Sequence, residues 1–277
     1  MTIGLTGRVA LNANINSEFS LGNLMSSYRG VKYYKPSTAT IGYFDSTNLN
    51  FSQFRGTQSS VIGNIAAFSV DTQNYTLNPA AVTGYVAGFT KVTVTINSGI
   101  YIGSSSTSTY ALTITGFVNG DTVNLINNGF IIGAGGNGGA GRSNNSGLPG
   151  DPGGNALLLE CPVNITNNGT IAGGGGGGGA ADGGTTYGSC FGGGSDYAGQ
   201  GGGGGAGYNG GGAGSGSPAA SAGTKTAGGA GAGAGGGPGI AGATSGNGRA
   251  GGAAGKYITG LSYATWIVTG TRIGGSS

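Results

Sequence analysis

Seven consecutive glycines, Gly173 to Gly179, leave the chain no side chains with which to build a core at that point. They sit in a longer field, from about Gly133 to Gly255, that keeps returning to Gly and Ala at Gly201 to Gly205, Gly210 to Gly212 and Gly228 to Gly239. Two architectures accept such runs. One is a flexible low-complexity linker. The other is a bundle of polyglycine II helices, extended left-handed segments of three residues per turn. These have no internal hydrogen bonds, so every N–H and C=O needs a neighbouring segment. Where such segments crowd together only Gly fits, as at the axis of collagen.

The energy balance of a bundle is narrow. Ordering each residue costs roughly 1–2 kcal/mol of backbone entropy, and more for Gly. One net hydrogen bond returns about 0.5–1.5 kcal/mol, and a Cα–H···O contact adds about 0.5–1 kcal/mol. Such a bundle therefore needs many segments side by side and is cooperative.

A long-range repeat favours order over the linker. Val123-Asn124-Leu125-Ile126-Asn127-Asn128-Gly129-Phe130-Ile131-Ile132-Gly133 recurs forty residues later as Val163-Asn164-Ile165-Thr166-Asn167-Asn168-Gly169-Thr170-Ile171-Ala172-Gly173, with seven identities in eleven positions. In both copies an alternating strand meets an Asn-Asn-Gly turn, then a short apolar stretch, then glycine. A looser third copy runs from Trp266 to Gly274. Fixed-period similarity implies stacked units.

The fold class expected is mostly β and irregular with little α-helix, a β-rich N-terminal part leading into the glycine bundle. Three parts are expected: 1–57, 58–132 and 133–277. In the first, Ser26-Ser27-Tyr28-Arg29-Gly30 matches Ser52-Gln53-Phe54-Arg55-Gly56 at an offset of twenty-six. The repeat reads either as local packing, with ring and Arg stem covering apolar surface, or as a docking module in which Tyr28, Arg29, Phe54 and Arg55 meet a partner. A small segment carries little core of its own, which favours docking. In the second part, Lys91 to Asn97 and Tyr110 to Thr115 alternate with period two and read as strands.

In the third part, more varied stretches interrupt the glycine: Arg142 to Pro152, Gly183 to Gln200, Gly207 to Thr226 and Ile240 to Arg249. A seven-residue run in this geometry spans about 22 Å. Consecutive segments are expected to alternate in direction, so that alternate loops gather at one end of a rigid scaffold, where recognition residues tend to lie. Candidate contacts are Arg142, Asn144, Asn145, Tyr187, Phe191, Asp196, Tyr197, Tyr208, Asn209, Lys225 and Arg249, with tyrosine the best contact residue among them. The same rings could instead merely cap the bundle ends.

Composition excludes several functions. The net charge is only +3 and no Lys/Arg stripe exists to neutralise phosphates, so a nucleic-acid partner is not expected. Histidine is absent and the eight carboxylates are widely spaced, which argues against an enzyme and a metal site. Cys161 and Cys190 have no metal-type spacing; they read equally as a disulfide or as two thiols. With this much glycine, G-x-G-x-x-G arises by chance, and no cofactor is expected. No signal peptide opens the sequence and no stretch is long enough to span a membrane, so synthesis in a cytoplasm is expected.

The Asn-Asn-Gly strand entering a glycine run, Gly153-Gly154-Asn155-Ala156-Leu157 leading back to a strand, and Thr265-Trp266 … Thr269-Gly270-Thr271-Arg272 together resemble the tail-fibre adhesins of T-even-type bacteriophages. The aromatic-Arg-Gly repeats are similar to those of phage tail-tip proteins. The resemblance implies a receptor-recognition protein at the distal tip of the long tail fibre, in the virion. Its N-terminal part would attach to the trimeric fibre shaft protein. Loops on a polyglycine II sandwich would bind an outer-membrane protein or lipopolysaccharide of a Gram-negative host. Two other readings stay open, a structural fibre-tip or assembly protein and a polyglycine II ice-binding protein.

Overall fold

A computed structural model describes residues 3, 9–143, 146–186, 195–246 and 249–277. The chain divides into two compact units. The first takes Met1–Ile65, Val82–Val92 and Phe117–Thr122; the second takes Ala66–Ala81, Thr93–Gly116 and Val123–Ser277. The division differs from the expected 1–57, 58–132 and 133–277, because the strands of 58–132 are shared between the two units.

The first unit has a small aromatic core. Phe19, Tyr28, Phe44 and Phe54 pack with Ile3 and Ile15, and the Tyr28 and Phe54 rings meet edge to face at 5.6 Å. Each copy of the aromatic-Arg-Gly repeat is one 3₁₀ turn, Met25–Tyr28 and Phe51–Phe54. An extended Arg follows, then a left-handed Gly at φ 69° in both copies, Gly30 and Gly56. That φ favours glycine, which adopts it without steric cost. The repeat is thus a turn that aims a ring inward. Lys32–Lys35 (β1) and Thr40–Tyr43 (β2) form an antiparallel pair, and Val61–Gly63 (β3) lies alongside Thr90–Val92. Here Asp121 accepts hydrogen bonds from the amides of Gly88, Thr90 and Val118 and from the Tyr85 hydroxyl. Burial, with the bond to Asp121, pushes the Tyr85 hydroxyl up to about 12.

The second unit is a three-sided coil of parallel strands from which the glycine field emerges. In chain order its strands are Thr72–Gln73 (β4), Tyr75–Leu77 (β5), Thr90–Ile96 (β6, which begins in the first unit), Tyr101–Gly103 (β7), Leu112–Ile114 (β8), Thr122–Asn127 (β9), Phe130–Ile132 (β10), Leu157–Leu159 (β11), Val163–Asn167 (β12) and Thr170–Ala172 (β13). A hairpin, Gly184–Thr186 (β14) with Ser195–Tyr197 (β15), stands apart from the coil. Lys256–Thr259 (β16), Ala264–Val268 (β17), Thr271–Ile273 (β18) and Gly275–Ser276 (β19) complete it. The faces are β4-β7-β10-β13-β18, β5-β8-β11-β16-β19 and β6-β9-β12-β17.

The forty-residue repeat is one turn of this coil. Val163 pairs with Val123 and Asn167 with Asn127, while Thr170 pairs with Phe130. The third copy follows, Trp266 beside Ile165 and Thr271 beside Thr170. Alternation sends Val123, Leu125, Val163 and Ile165 inward, all buried, each contributing about 1.5–3 kcal/mol. At the corner the buried Asn127 amide donates to Asn167 Oδ1 at 2.8 Å. The Asn167 amide donates in turn to Thr269 O at 2.8 Å and Thr271 O at 3.2 Å. A Cβ on Gly169 would lie 2.1 Å from Gly129 O, so the corner requires glycine.

Both glycine insertions, 133–156 and 173–255, leave from the same corner, between the β10 or β13 end and the next strand of the adjacent face. Their hydrogen bonds have a period of three. The amides of Gly174, Gly177 and Ala180 donate to Gly154, Asp151 and Leu148; those of Gly175, Gly178 and Ala181 to Ala206, Gly203 and Gln200; those of Gly176 and Gly179 to Ile240 and Ala243. The carbonyls of this run accept from three further runs, through Gly136 and Gly139, Gly233 and Gly236, and Gly252 and Gly255. Run 173–181 therefore has six neighbours. Run 199–206 also has six, donating to the segments of Gly136, Gly233 and Ser221 and accepting from those of Gly178, Gly211 and Gly229. These two enclosed runs contain the longest glycine stretches. Gly173–Gly179 and Gly201–Gly205 are buried throughout, and a Cβ on Gly176 would sit 1.9 Å from Gly252 O. The collagen-like Gly147, Gly150 and Gly153 turn the same edge to run 173–181, where their Cβ atoms would lie 2.5, 2.0 and 2.1 Å from its carbonyls.

Candidate functional site

Partner numbering along the hydrogen bonds gives the direction of each run. Where partners descend as the run ascends, the two are antiparallel. Residues 133–141, 173–181 and 240–245 lead away from the strand coil; 147–154, 199–206 and 249–255 lead back. Two sets of connections result. One, at the far end, comprises the connections 142–147, 182–198, 215–220, 231–233 and 245–249. The other, at the near end beside the coil, comprises 207–209, 224–227 and 237–240.

This separation divides the candidate residues. Tyr208, Asn209 and Lys225 belong to the near end. The Tyr208 ring lies on Gly103, where a Cβ would come within 1.9 Å of Cγ. Asn209 donates to Ser105 O at 3.2 Å. Lys225 reaches Asp71 at 2.8 Å and stands 4.5 Å from the Tyr101 and Tyr208 ring centroids. The bond to Asp71 raises the Lys225 ammonium and the bond from Lys225 lowers the Asp71 carboxyl. These three side chains fasten the glycine field to the coil, the capping role that the sequence left open. A nearby polar cleft, lined by residues such as Ser105, Asn137 and Asn209, holds about 240 Å³, less than the ~300–1,000 Å³ of a typical small-molecule site.

Arg142, Asp196, Tyr197 and Arg249 belong to the far end. Tyr197 is 52% exposed; its ring lies over Gly184, with which it pairs across the hairpin. Arg142 and Asp196 are exposed. The Arg142 carbonyl accepts from the Gly199 amide, and Ser143 bridges Ala198, so the 142–147 turn leans on the hairpin's base. Arg249 is paired with Asp182, Nε to Oδ1 at 2.9 Å and Nη2 to Oδ2 at 3.2 Å. Asp182 escaped the sequence reading because nothing local marks it; its carboxyl lies below the ordinary range, held there by Arg249 and the Gly147 amide. Asn144, Asn145, Tyr187, Phe191 and Cys190 lie outside the described residues.

The varied stretches are narrower as connections than their sequence limits. Residues 147–154 form a run, and 207–226 contains two more, through Gly211 and Gly214 and through Ser221 and Gly223. Cys161 is buried in the coil, its thiol directed to Ile114 O at 3.8 Å.

In the first unit Tyr28 and Phe54 are wholly buried, which corrects the expectation that their rings face a partner: the 3₁₀ turns spend them on the core. Arg29 is exposed and Arg55 half-buried. Leu24 (69% exposed), Tyr43 (66%) and Ile62 (62%) are the most exposed large apolar side chains of this unit among the described residues, with Val118, Ile41, Phe51 and Leu21 also exposed. Among the described residues no group of His, Cys, Asp and Glu is placed to hold a metal ion, and no helix is long and apolar enough to cross a membrane.

The family model described as phage tail fibre adhesin Gp38 matches residues 63–277. Among solved structures, the chain is similar to a chain of the gp37–gp38 adhesin tip complex of the bacteriophage S16 long tail fibre. The TM-score is 0.52 and the identity 25%, over 84% of this chain and 89% of that one. No curated protein matches the sequence.

Proposed function

We propose that this chain, which belongs to the phage tail fibre adhesin Gp38 family, binds a receptor on a Gram-negative host through the far-end loops of a polyglycine II sandwich. The observation that carries the reading is the alternation of run directions, which collects the connections 142–147, 182–198, 215–220, 231–233 and 245–249 at one end of a buried scaffold. The three-residue hydrogen-bond period and the six neighbours of runs 173–181 and 199–206 support the polyglycine II assignment. Exposed Arg142, Asp196 and Tyr197 offer charge and one large, stiff ring to a protein or sugar surface. The receptor would be an outer-membrane protein or lipopolysaccharide.

The first unit would seat on the trimeric shaft at the distal tip of the fibre. The similar structure is that of a gp37–gp38 complex, and Leu24, Tyr43 and Ile62, with Arg29, are among the exposed side chains this unit offers to such a contact.

Adsorption of the purified protein to Gram-negative strains, with mutants lacking single outer-membrane proteins or truncated in lipopolysaccharide, tests the reading. Tyr197→Ala is expected to weaken adsorption at least several-fold while leaving Tm within about 2 °C, since surface substitutions usually stay within ±0.5 kcal/mol. Tyr208→Ala is expected to lower Tm, because it empties the space above Gly103. Full adsorption by Tyr197→Ala and by variants with exchanged far-end loops would instead favour a structural fibre-tip or assembly role.

A further inference from the structure

The far-end connections come from widely separated parts of the sequence, yet one carboxylate, itself at the start of one of them, touches two others. Asp182 follows the buried run 173–181 and precedes the hairpin Gly184–Tyr197 by two residues. Its Oδ1 accepts from the Gly147 amide at 2.7 Å, which belongs to the 142–147 turn. The same carboxylate takes both ends of the Arg249 fork, at 2.9 and 3.2 Å, from the 245–249 turn. That turn is closed on itself by Ser245, whose amide donates to Arg249 O and whose hydroxyl accepts from the Arg249 amide. Gly147 can bring its amide this close because it carries no Cβ; one would lie 2.5 Å from Ala181 O.

A third of each partner's side chain is open to water, 36% for Arg249 and 30% for Asp182. Such a pair adds little to global stability. A two-pronged guanidinium–carboxylate contact does fix orientation, and its base here is one of the two runs with six neighbours.

We infer that Asp182 is a positioning residue that holds Gly147 and Arg249, the ends of two other far-end connections, in register with the paired strands β14 and β15 that it precedes. The inference rests on the far-end reading of the binding site. It withdraws Arg249 from the direct contacts, because its guanidinium is already engaged. It also separates scaffold from specificity: residues between the tied points can change freely while Asp182, Arg249 and the Gly147 amide are kept.

Amide hydrogen exchange on the full chain, paired with adsorption, tests this in Asp182→Ala and Asp182→Asn. In Asp182→Ala the amides of Ser245 and Arg249, neither bonded to Asp182, are expected to exchange at least about tenfold faster. Those of Gly176 and Gly178 should be unchanged, and adsorption should fall several-fold. Asp182→Asn keeps a carbonyl oxygen for Gly147 but turns an NH2 toward Arg249, so Gly147 is expected to stay protected while Ser245 and Arg249 loosen. Unchanged exchange at Ser245 and Arg249 overturns the inference, as does an equal rise at Gly176, which would make Asp182 a general structural residue. Loosened turns with full adsorption also overturn it. If the unsubstituted protein adsorbs to no strain, the adhesin reading fails, and exchange alone still decides whether Asp182 ties the loops.

Discussion

Gly176 shows what the glycines do. Its amide donates to Ile240 O, its carbonyl accepts from Gly236, and a Cβ would press to 1.9 Å from the Gly252 oxygen. Gly246 has open space around the same position. Gly176→Val is therefore expected to destabilise by more than about 3 kcal/mol, beyond the usual 1–3 kcal/mol of overpacking, because backbone on several sides must retreat together. Gly246→Ala is expected to stay within about 0.5 kcal/mol. Denaturant titration of the two checks this; equal stabilities would mean that run 173–181 is not enclosed. This contrast was legible in part, since an unbroken glycine run announces that side chains are excluded. Tyr28 and Phe54 were not legible in the same way. An aromatic before Arg-Gly reads alike whether its ring enters a core or meets a partner, and only the 3₁₀ turn and its tertiary surroundings decide.

At the level of elements, the stacked turns of the coil are held by apolar alternation inside and by asparagine at one corner. Asn167, buried like Asn127, accepts from Asn127 and donates to the carbonyls of the exposed Thr269 and Thr271. Asn167→Ala removes the buried bond from the Asn127 amide, which keeps only its 3.2 Å bond to Thr170 O, while the exposed Thr269 and Thr271 can turn to water, so a loss of about 1–3 kcal/mol is expected. Asn168→Ala, whose side chain makes its 2.8 Å bond to Asn128 in solvent, is expected to cost less than about 0.5 kcal/mol. Equal losses by denaturant titration would remove the ladder's special role. The repeat itself was visible in sequence, because consecutive turns reuse Val-Asn and Asn-Asn-Gly at matching places. The three-sided winding was hidden. Strands as short as Phe130–Ile132 and Leu157–Leu159 are too brief to display a period, and the next strand after Thr170–Ala172 on the adjoining face is Lys256–Thr259, beyond the entire 173–255 insertion. Loop limits were overdrawn for a related reason: a run with Ala, Ser or Pro on its open side, such as 147–154, looks varied in sequence although its glycines keep the inward edge.

At the scale of the whole molecule, the glycine field behaves as one body because its groups satisfy each other across runs. The gain per residue is small, so the enclosed runs are expected to open only together. Native-state hydrogen exchange of the amides of Gly174 to Ala181 and of Gly202 to Gly207 reads this out residue by residue. Uniform protection, with an opening free energy equal to that of global unfolding, is the expected result. Exchange near the rate of an unstructured chain across both runs would contradict it, and the far-end loops would then have no scaffold to hold them.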